Sequence, residues 1–317
     1  MMYIGLIVGF VLLIKGADYF VEGSSGVAKM FHVPSIIIGL TIVAMGTSAP
    51  ECAVSISAAL RHSNEIALSN VIGSNIFNLI VVCGICAVLS PLAIDKKTLK
   101  VEFPISILAG ILLFVFGSDA LYRGKNAQNI LGRVDGMIFI LLFIGFLAWM
   151  ILSAKKARQE NQDEEVCQNL SGLKCAIFIV GGLIAIIWGG DIVVQNATSI
   201  AKAFGLSETL IGLTIVAVGT SLPELVTSLV AAKKGEVDMA LGNVIGSNIF
   251  NILLILGVSS TISPITVINN SIYDLILLTV MSLIVYVFAA TKKKLGRMEG
   301  IGMLVMYAAY MYYICIR

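Results

Sequence analysis

The sequence predicts an all-α polytopic membrane protein in which ten transmembrane helices form two inverted repeats of five. Three observations carry that prediction. The composition is apolar with few charges, the chain repeats itself at a fixed offset, and each repeat holds an odd number of spans with basic residues biased to one side. Of 317 residues, 58% are hydrophobic and 13% charged, against about 45–50% and roughly 25% in soluble domains. Such a chain is not a soluble enzyme, a disordered segment or a nucleic-acid binder. The formal net charge of +2 points to no acidic partner.

At about 20 apolar residues per membrane helix, the apolar runs between turn and charge signals give five spans per half. In chain order they are 3–28, 35–60, 66–90, 101–118 and 134–153, then 173–201, 208–232, 238–262, 272–290 and 299–316. The first run lacks a basic leader and a small-residue cleavage site, so it is expected to be a span and not a removable signal. Between the halves lies AKKARQENQDEEVCQNLS (154–171), the one long stretch without apolar character. It is expected to be a solvated linker on the cytoplasmic side, separating a first repeat at 1–153 from a second at 172–317.

The repeat is read directly. GLTIVAMGTSAPECAVSISAA from Gly39 aligns with GLTIVAVGTSLPELVTSLVAA from Gly212 at an offset of 173, without a gap as far as Ser90-Pro91 and Ser263-Pro264. Over these 53 positions 28 are identical. Two homologous halves with five spans each must insert in opposite orientations. The positive-inside rule then favours an N-out, C-out arrangement, which places 14 basic residues in inside segments and 6 in outside ones, with Lys15 inside the first span.

Within the spans, AMGTSAPE (44–51) and AVGTSLPE (217–224) set a Gly and a Pro four residues apart. Pro50 and Pro223 cannot donate a helical hydrogen bond and clash with the carbonyls of Gly46 and Gly219. The predicted helix break exposes main-chain oxygens beside Thr47-Ser48 and Thr220-Ser221. Irregular backbone at membrane depth is tolerated only inside protein or around a watery cavity, and interrupted helices of this kind form the central sites of secondary transporters. Glu51 and Glu224 follow each Pro directly. A charge near the bilayer centre costs about 2.5–3.5 kcal/mol on insertion scales, and neither motif offers a Lys or Arg to offset it. A bound cation is the natural counter-charge. Carboxylates, hydroxyls and carbonyls are hard oxygen ligands suited to Ca²⁺, and the neutral oxygens also suit Na⁺.

The second repeated element, NVIGSNIFN, occupies 70–78 and 243–251. Ser74 and Asn78 lie one turn apart on a single face, as do Ser247 and Asn251. These four are candidate ligands. Asn70, Asn75, Asn243 and Asn248 are expected instead to glue helices together. Lys15 and Asp18, three residues apart, are placed to pair. Cys83 and Cys86 have CxxC spacing inside an apolar run and are read as small buried residues.

The paired GLTIVAxGTSxPE and GNVxGSNIFN elements resemble the two α-repeats of the Ca²⁺/cation antiporter superfamily, and within it the prokaryotic sodium/calcium exchangers. The resemblance covers nearly the whole chain. It implies a ten-helix fold in the cell membrane and electrogenic exchange of several Na⁺ for one Ca²⁺ by alternating access, through sliding of the first and sixth helices. The two ions and the bilayer are the implied partners, with no cofactor and no protein or nucleic-acid partner. By the same resemblance Glu51 and Glu224 are shared ligands, Thr47 and Thr220 help form a calcium site, and Ala44 and Ala217 offer carbonyls. Ser48, Ser221, Ser74 and Ser247 complete sodium sites, and Asn78 and Asn251 lie at the centre. Some potassium-dependent relatives have Asp where this chain has Asn251, so K⁺ co-transport is not expected. Two rivals follow from the residues: a proton-coupled Ca²⁺ antiporter using the same glutamates, and an intramembrane hydrolase with Ser48 or Ser221 as nucleophile. The second lacks a histidine in a span near either serine to act as its base.

Overall fold

The computed structural model describes residues 2–120, 124, 128–160, 171–205 and 217–316. In chain order the elements are α1 (Met2–Met30), α2 (Ser35–Thr47), α3 (Ala49–Leu60), α4 (Glu65–Leu89), β1 (Leu92–Ala93), α5 (Thr98–Phe116), β2 (Ile130–Leu131) and α6 (Arg133–Glu160). They continue with α7 (Gly172–Ala203), α8 (Ala217–Thr220), α9 (Leu222–Lys233), α10 (Val237–Ile262), β3 (Ile265–Thr266), α11 (Asn269–Lys292), β4 (Lys294–Leu295) and α12 (Arg297–Ile316). Among the described residues eight single helices are long and apolar enough to cross a membrane, and the bent pair α2–α3 makes a ninth. The expected span at 208–232 falls partly outside the described residues, which resume at Ala217.

Two differences from the sequence reading have simple causes. Helix α6 runs on to Glu160, through the first residues assigned to the linker, because Ala, Lys, Arg, Gln and Glu are strong helix formers. Lys15 is exposed and does not hold Asp18. That carboxylate instead meets Lys234 Nζ, 2.7 Å from Oδ1, with Glu22 Oε2 at 3.7 Å from the same ammonium.

The chain divides into two compact units that interleave in sequence. The first comprises 1–50 and 150–244. Its main contact is a glycine seam between α1 and α7. A Cβ added to Gly9 would lie 3.0 Å from the Gly189 carbonyl oxygen, one at Gly16 2.8 Å from that of Gly182, and one at Gly23 2.8 Å from that of Cys175. The register ascends on one helix as it descends on the other, so the pair is antiparallel, with contacts every seven residues as in a coiled-coil seam. Without side chains the two backbones touch, the usual reason for small residues between membrane helices. At the end of α1, Ser25 Oγ donates to Glu236 Oε1 at 2.5 Å and Ser35 Oγ to Oε2 at 2.9 Å, tying α1 and α2 to the turn before α10.

The second unit comprises 51–149 and 245–317. Connections from the two repeats pair within it as short antiparallel ladders: Leu92 with Leu295 and Ala93 with Lys294, then Ile130 with Thr266 and Leu131 with Ile265. Cys83 and Cys86 are buried thiols, each 1% exposed. Burial separates inner from outer helices. The apolar windows of α4 and α10 are 83% and 89% buried, against 22% for α6 and 17% for α12. Helices α4 and α10 carry the repeated Asn and Ser residues, and such groups are tolerated at membrane depth because protein and not lipid surrounds them.

Candidate ion-binding site

Both expected breaks are present and alike. Helix α2 ends at Thr47, Ser48 takes φ −81° and ψ 10°, and α3 starts at Ala49, with a 50° bend between the two pieces. Helix α8 ends at Thr220, Ser221 takes φ −93° and ψ 8°, and α9 starts at Leu222. Each break therefore holds a serine in the bridge region, which is sparsely populated and frequent at functional sites. Each glutamate lies in the first turn of the helix that follows, where the helix dipole favours an anion.

In the first unit, Ser48 Oγ donates to Glu224 Oε1 at 2.8 Å. Among the described residues Glu224 Oε2 is buried with no hydrogen-bond partner, and no ion pair is made to this carboxylate. Thr47 Oγ1 donates to Asn243 Oδ1 at 3.0 Å and lies 3.4 Å from the Ala44 carbonyl oxygen. That carbonyl also accepts the Ser48 N–H at 3.0 Å. Asn243 Nδ2 donates to Ser228 Oγ at 2.8 Å and to the Glu224 carbonyl at 3.4 Å. Thr47, Ser48, Ser221, Glu224 and Asn243 are fully buried, while Thr220 is half-buried. Ala217 opens α8.

The second unit repeats the pattern around Glu51, also fully buried. Ser74 Oγ donates to Glu51 Oε1 at 3.4 Å. Asn70 Nδ2 donates to Ser55 Oγ at 3.0 Å and to the Glu51 carbonyl at 3.4 Å. Asn75 and Asn248 each donate to the other's carbonyl at 3.3 Å, and Asn251 Nδ2 reaches Asn75 Oδ1 at 3.1 Å. Among the described residues, neither amide atom of the buried Asn78 has a hydrogen-bond partner, nor do Ser247 Oγ and Asn251 Oδ1. Asn78 and Asn251 sit in π-helical turns, at Phe77–Val82 and Asn251–Leu256, a feature that recurs at functional positions in helices.

A buried, unpaired carboxylate is expensive. Hydroxyls that have spent their proton on a partner show only lone pairs to whatever else approaches. Such surroundings favour a hard cation. Among the described residues no three of His, Cys, Asp and Glu cluster together, so any ion held here meets few acids and many neutral oxygens.

A family model for sodium/calcium exchanger proteins matches residues 1–152 and 174–316. The chain belongs to the sodium/calcium exchanger family. Among its relatives in that family, the putative antiporter CaxA of Alkalimonas amylolytica is 39% identical over 316 residues, covering 97% of this chain and 96% of its own. Sodium/calcium exchanger MaX1 of Methanosarcina acetivorans is 35% identical, covering 96% of both chains. Of solved exchanger structures, that of NCX_Mj soaked with Na⁺ and Ca²⁺ superposes with a TM-score of 0.83 at 35% identity, covering 98% of this chain and 97% of the other.

Family membership sets the two clusters in context. Of the residues singled out from sequence, the structure gathers Thr47, Ser48 and Glu224 in one unit and Glu51 and Ser74 in the other. Ser55 and Ser228 were not singled out, although both are identical at the 173-residue offset and lie four positions beyond each glutamate. That repeat was the available signal.

Proposed function

We propose that the chain exchanges Na⁺ for Ca²⁺ across the cell membrane by alternating access, with the two ions competing for Glu51 and Glu224. The observation that carries the reading is Glu224, fully buried, held by Ser48, with one carboxylate oxygen unpartnered. In a family of sodium/calcium exchangers, that oxygen is suited to an ion. Each buried carboxylate is balanced by a bound cation, for which Ca²⁺ and Na⁺ compete. An ion that neutralises these carboxylates differentiates states a vacant protein would not cross between, which is what coupling requires. Thr47, Thr220, Ser48, Ser221, Ser74, Ser247, Asn78 and Asn251 supply neutral oxygens in this scheme, with the carbonyls of Ala44 and Ala217.

The test is ⁴⁵Ca²⁺ uptake into Na⁺-loaded proteoliposomes at equal pH and without K⁺. Uptake is expected only with an outward Na⁺ gradient. Because several Na⁺ leave per Ca²⁺ entering, an inside-negative voltage slows it. Uptake driven by an outward proton gradient in the absence of Na⁺ overturns the assignment in favour of proton coupling. In the same assay Ser48→Ala, which removes the donor to Glu224 Oε1, is expected to raise the half-saturating Na⁺ concentration roughly tenfold, since hydrogen bonds to charged groups are worth ~1.5–3 kcal/mol.

A further inference from the structure

We infer that Asn243 is a positioning residue for ion binding, setting which way the Thr47 hydroxyl points and pinning the first turn of α9 after its break. The inference rests on the reading that Thr47 and Glu224 hold ions, and it adds a residue that touches neither ion.

The geometry is closed on every side. Asn243 is fully buried. Its amide nitrogen spends both hydrogens, on Ser228 Oγ at 2.8 Å and on the Glu224 carbonyl at 3.4 Å. With the nitrogen so committed, Oδ1 is the atom left to face Thr47 Oγ1, 3.0 Å away. A flipped amide would set its oxygen against the Glu224 carbonyl oxygen and strand a donor. Threonine has a single hydroxyl proton. Given to Asn243, that proton leaves only lone pairs on Oγ1, which is the face a hard cation needs. Two other acceptors compete for that proton, the Ala44 carbonyl at 3.4 Å, which already takes the Ser48 N–H, and the Glu224 carboxylate; the bond to Asn243 at 3.0 Å is the one that directs it away from both.

The same side chain braces Glu224 from behind. Its bond to the Glu224 carbonyl joins α10 to the turn that carries the carboxylate, beside a proline that has removed one helical hydrogen bond. The second unit contains the matching brace, with Asn70 donating to Ser55 Oγ at 3.0 Å and to the Glu51 carbonyl at 3.4 Å. Asparagine is required by this arrangement because it alone combines two donors and an acceptor on so short a stem. A residue that merely packed α10 against α9 would need none of these three bonds.

The experiment measures the half-saturating Ca²⁺ concentration and the maximal rate of Na⁺-driven uptake for Asn243→Ala, Thr47→Ala, the double variant and Ser228→Ala, with Glu224→Gln alongside. Partners one shell removed from an ion typically change its affinity 10–100-fold, so Asn243→Ala is expected to raise half-saturation about tenfold with the maximal rate less affected. Because part of its effect runs through Thr47, it should add clearly less than its own tenfold on top of Thr47→Ala, as coupled residues fail to add, the remainder being the brace on Glu224. Ser228→Ala frees the amide without emptying the site, and should raise half-saturation about threefold even if Asn243→Ala does not fold. Unchanged half-saturation in Asn243→Ala and Ser228→Ala, whatever the effect on rate or melting temperature, overturns the inference and leaves a packing role. Fully multiplicative effects with Thr47→Ala overturn it as well. Normal exchange by Glu224→Gln instead removes the functional reading beneath it, so the two failures are told apart.

Discussion

Glu224→Gln, and likewise Glu51→Gln, is expected to abolish Na⁺-driven ⁴⁵Ca²⁺ uptake while the protein remains folded. The amide keeps the size of the carboxylate, and its oxygen still accepts the Ser48 hydroxyl that lies 2.8 Å from Glu224 Oε1. What it loses is the charge. Removing one partner of a buried ion pair costs ~3–5 kcal/mol, a factor of roughly 10²–10⁴ in binding at ~1.4 kcal/mol per tenfold. Thermal unfolding supplies a second readout. A ligand at a hundred times its dissociation constant stabilises by about 2.7 kcal/mol, so Ca²⁺ should raise the melting temperature of the parent protein and leave that of the variant where it is. The ion-free variant should be at least as stable as the ion-free parent, because no uncompensated charge is left at the buried Glu224 position. A variant that exchanges normally, or that still gains stability from Ca²⁺, would falsify the assignment of the carboxylate.

The second large effect lies in the seam between α1 and α7. Gly182→Leu is expected to separate α1 from α7 and lower stability by ~3 kcal/mol or more, the upper range for an overpacked core. A Cβ there would already lie 2.7 Å from the Gly16 carbonyl oxygen and 2.7 Å from the Phe20 nitrogen. Both obstacles are backbone, so no rotamer change relieves them. The measurement is the melting temperature in detergent together with the fraction of monodisperse protein on size exclusion. Gly181→Leu on the adjacent position is the control, since an added Cβ there meets nothing within 4 Å. Equal behaviour of the two variants would show that the seam does not hold the helices together.

Much of this architecture is legible in the chain because it is written twice. The breaks at Ser48 and Ser221 follow from a Gly and a Pro at fixed spacing, and the buried glutamates follow from acids with no basic neighbour. Other features carry no local signal. An asparagine in a membrane helix reads equally as packing or as brace, and only the distances from Asn243 to Thr47, Ser228 and Glu224 separate the two. The π-helical turns at Phe77–Val82 and Asn251–Leu256 leave the apolar pattern nearly unchanged, so periodicity does not reveal them. Asp18 has a basic residue three positions away, yet its partner Lys234 stands 216 positions along the chain. Proximity in sequence suggested the wrong cation because a tertiary contact was available.

The pairing rule of the seam has a meaning beyond packing. The counterpart of Gly9 at the 173-residue offset is Gly182, and that of Gly16 is Gly189. Gly9 meets Gly189, and Gly16 meets Gly182; exchanging every residue for its counterpart turns one contact into the other. Asn75 and Asn248 are counterparts that hold each other. Contacts with this property are isologous, the signature of a two-fold dimer. Within each unit the chain therefore carries a self-complementary interface built from both halves of its own repeat. The two copies differ elsewhere, as Thr227 against Val54 and Leu225 against Cys52 show. At the glycines and the amide pair they cannot, since a change on one side strands its counterpart on the other.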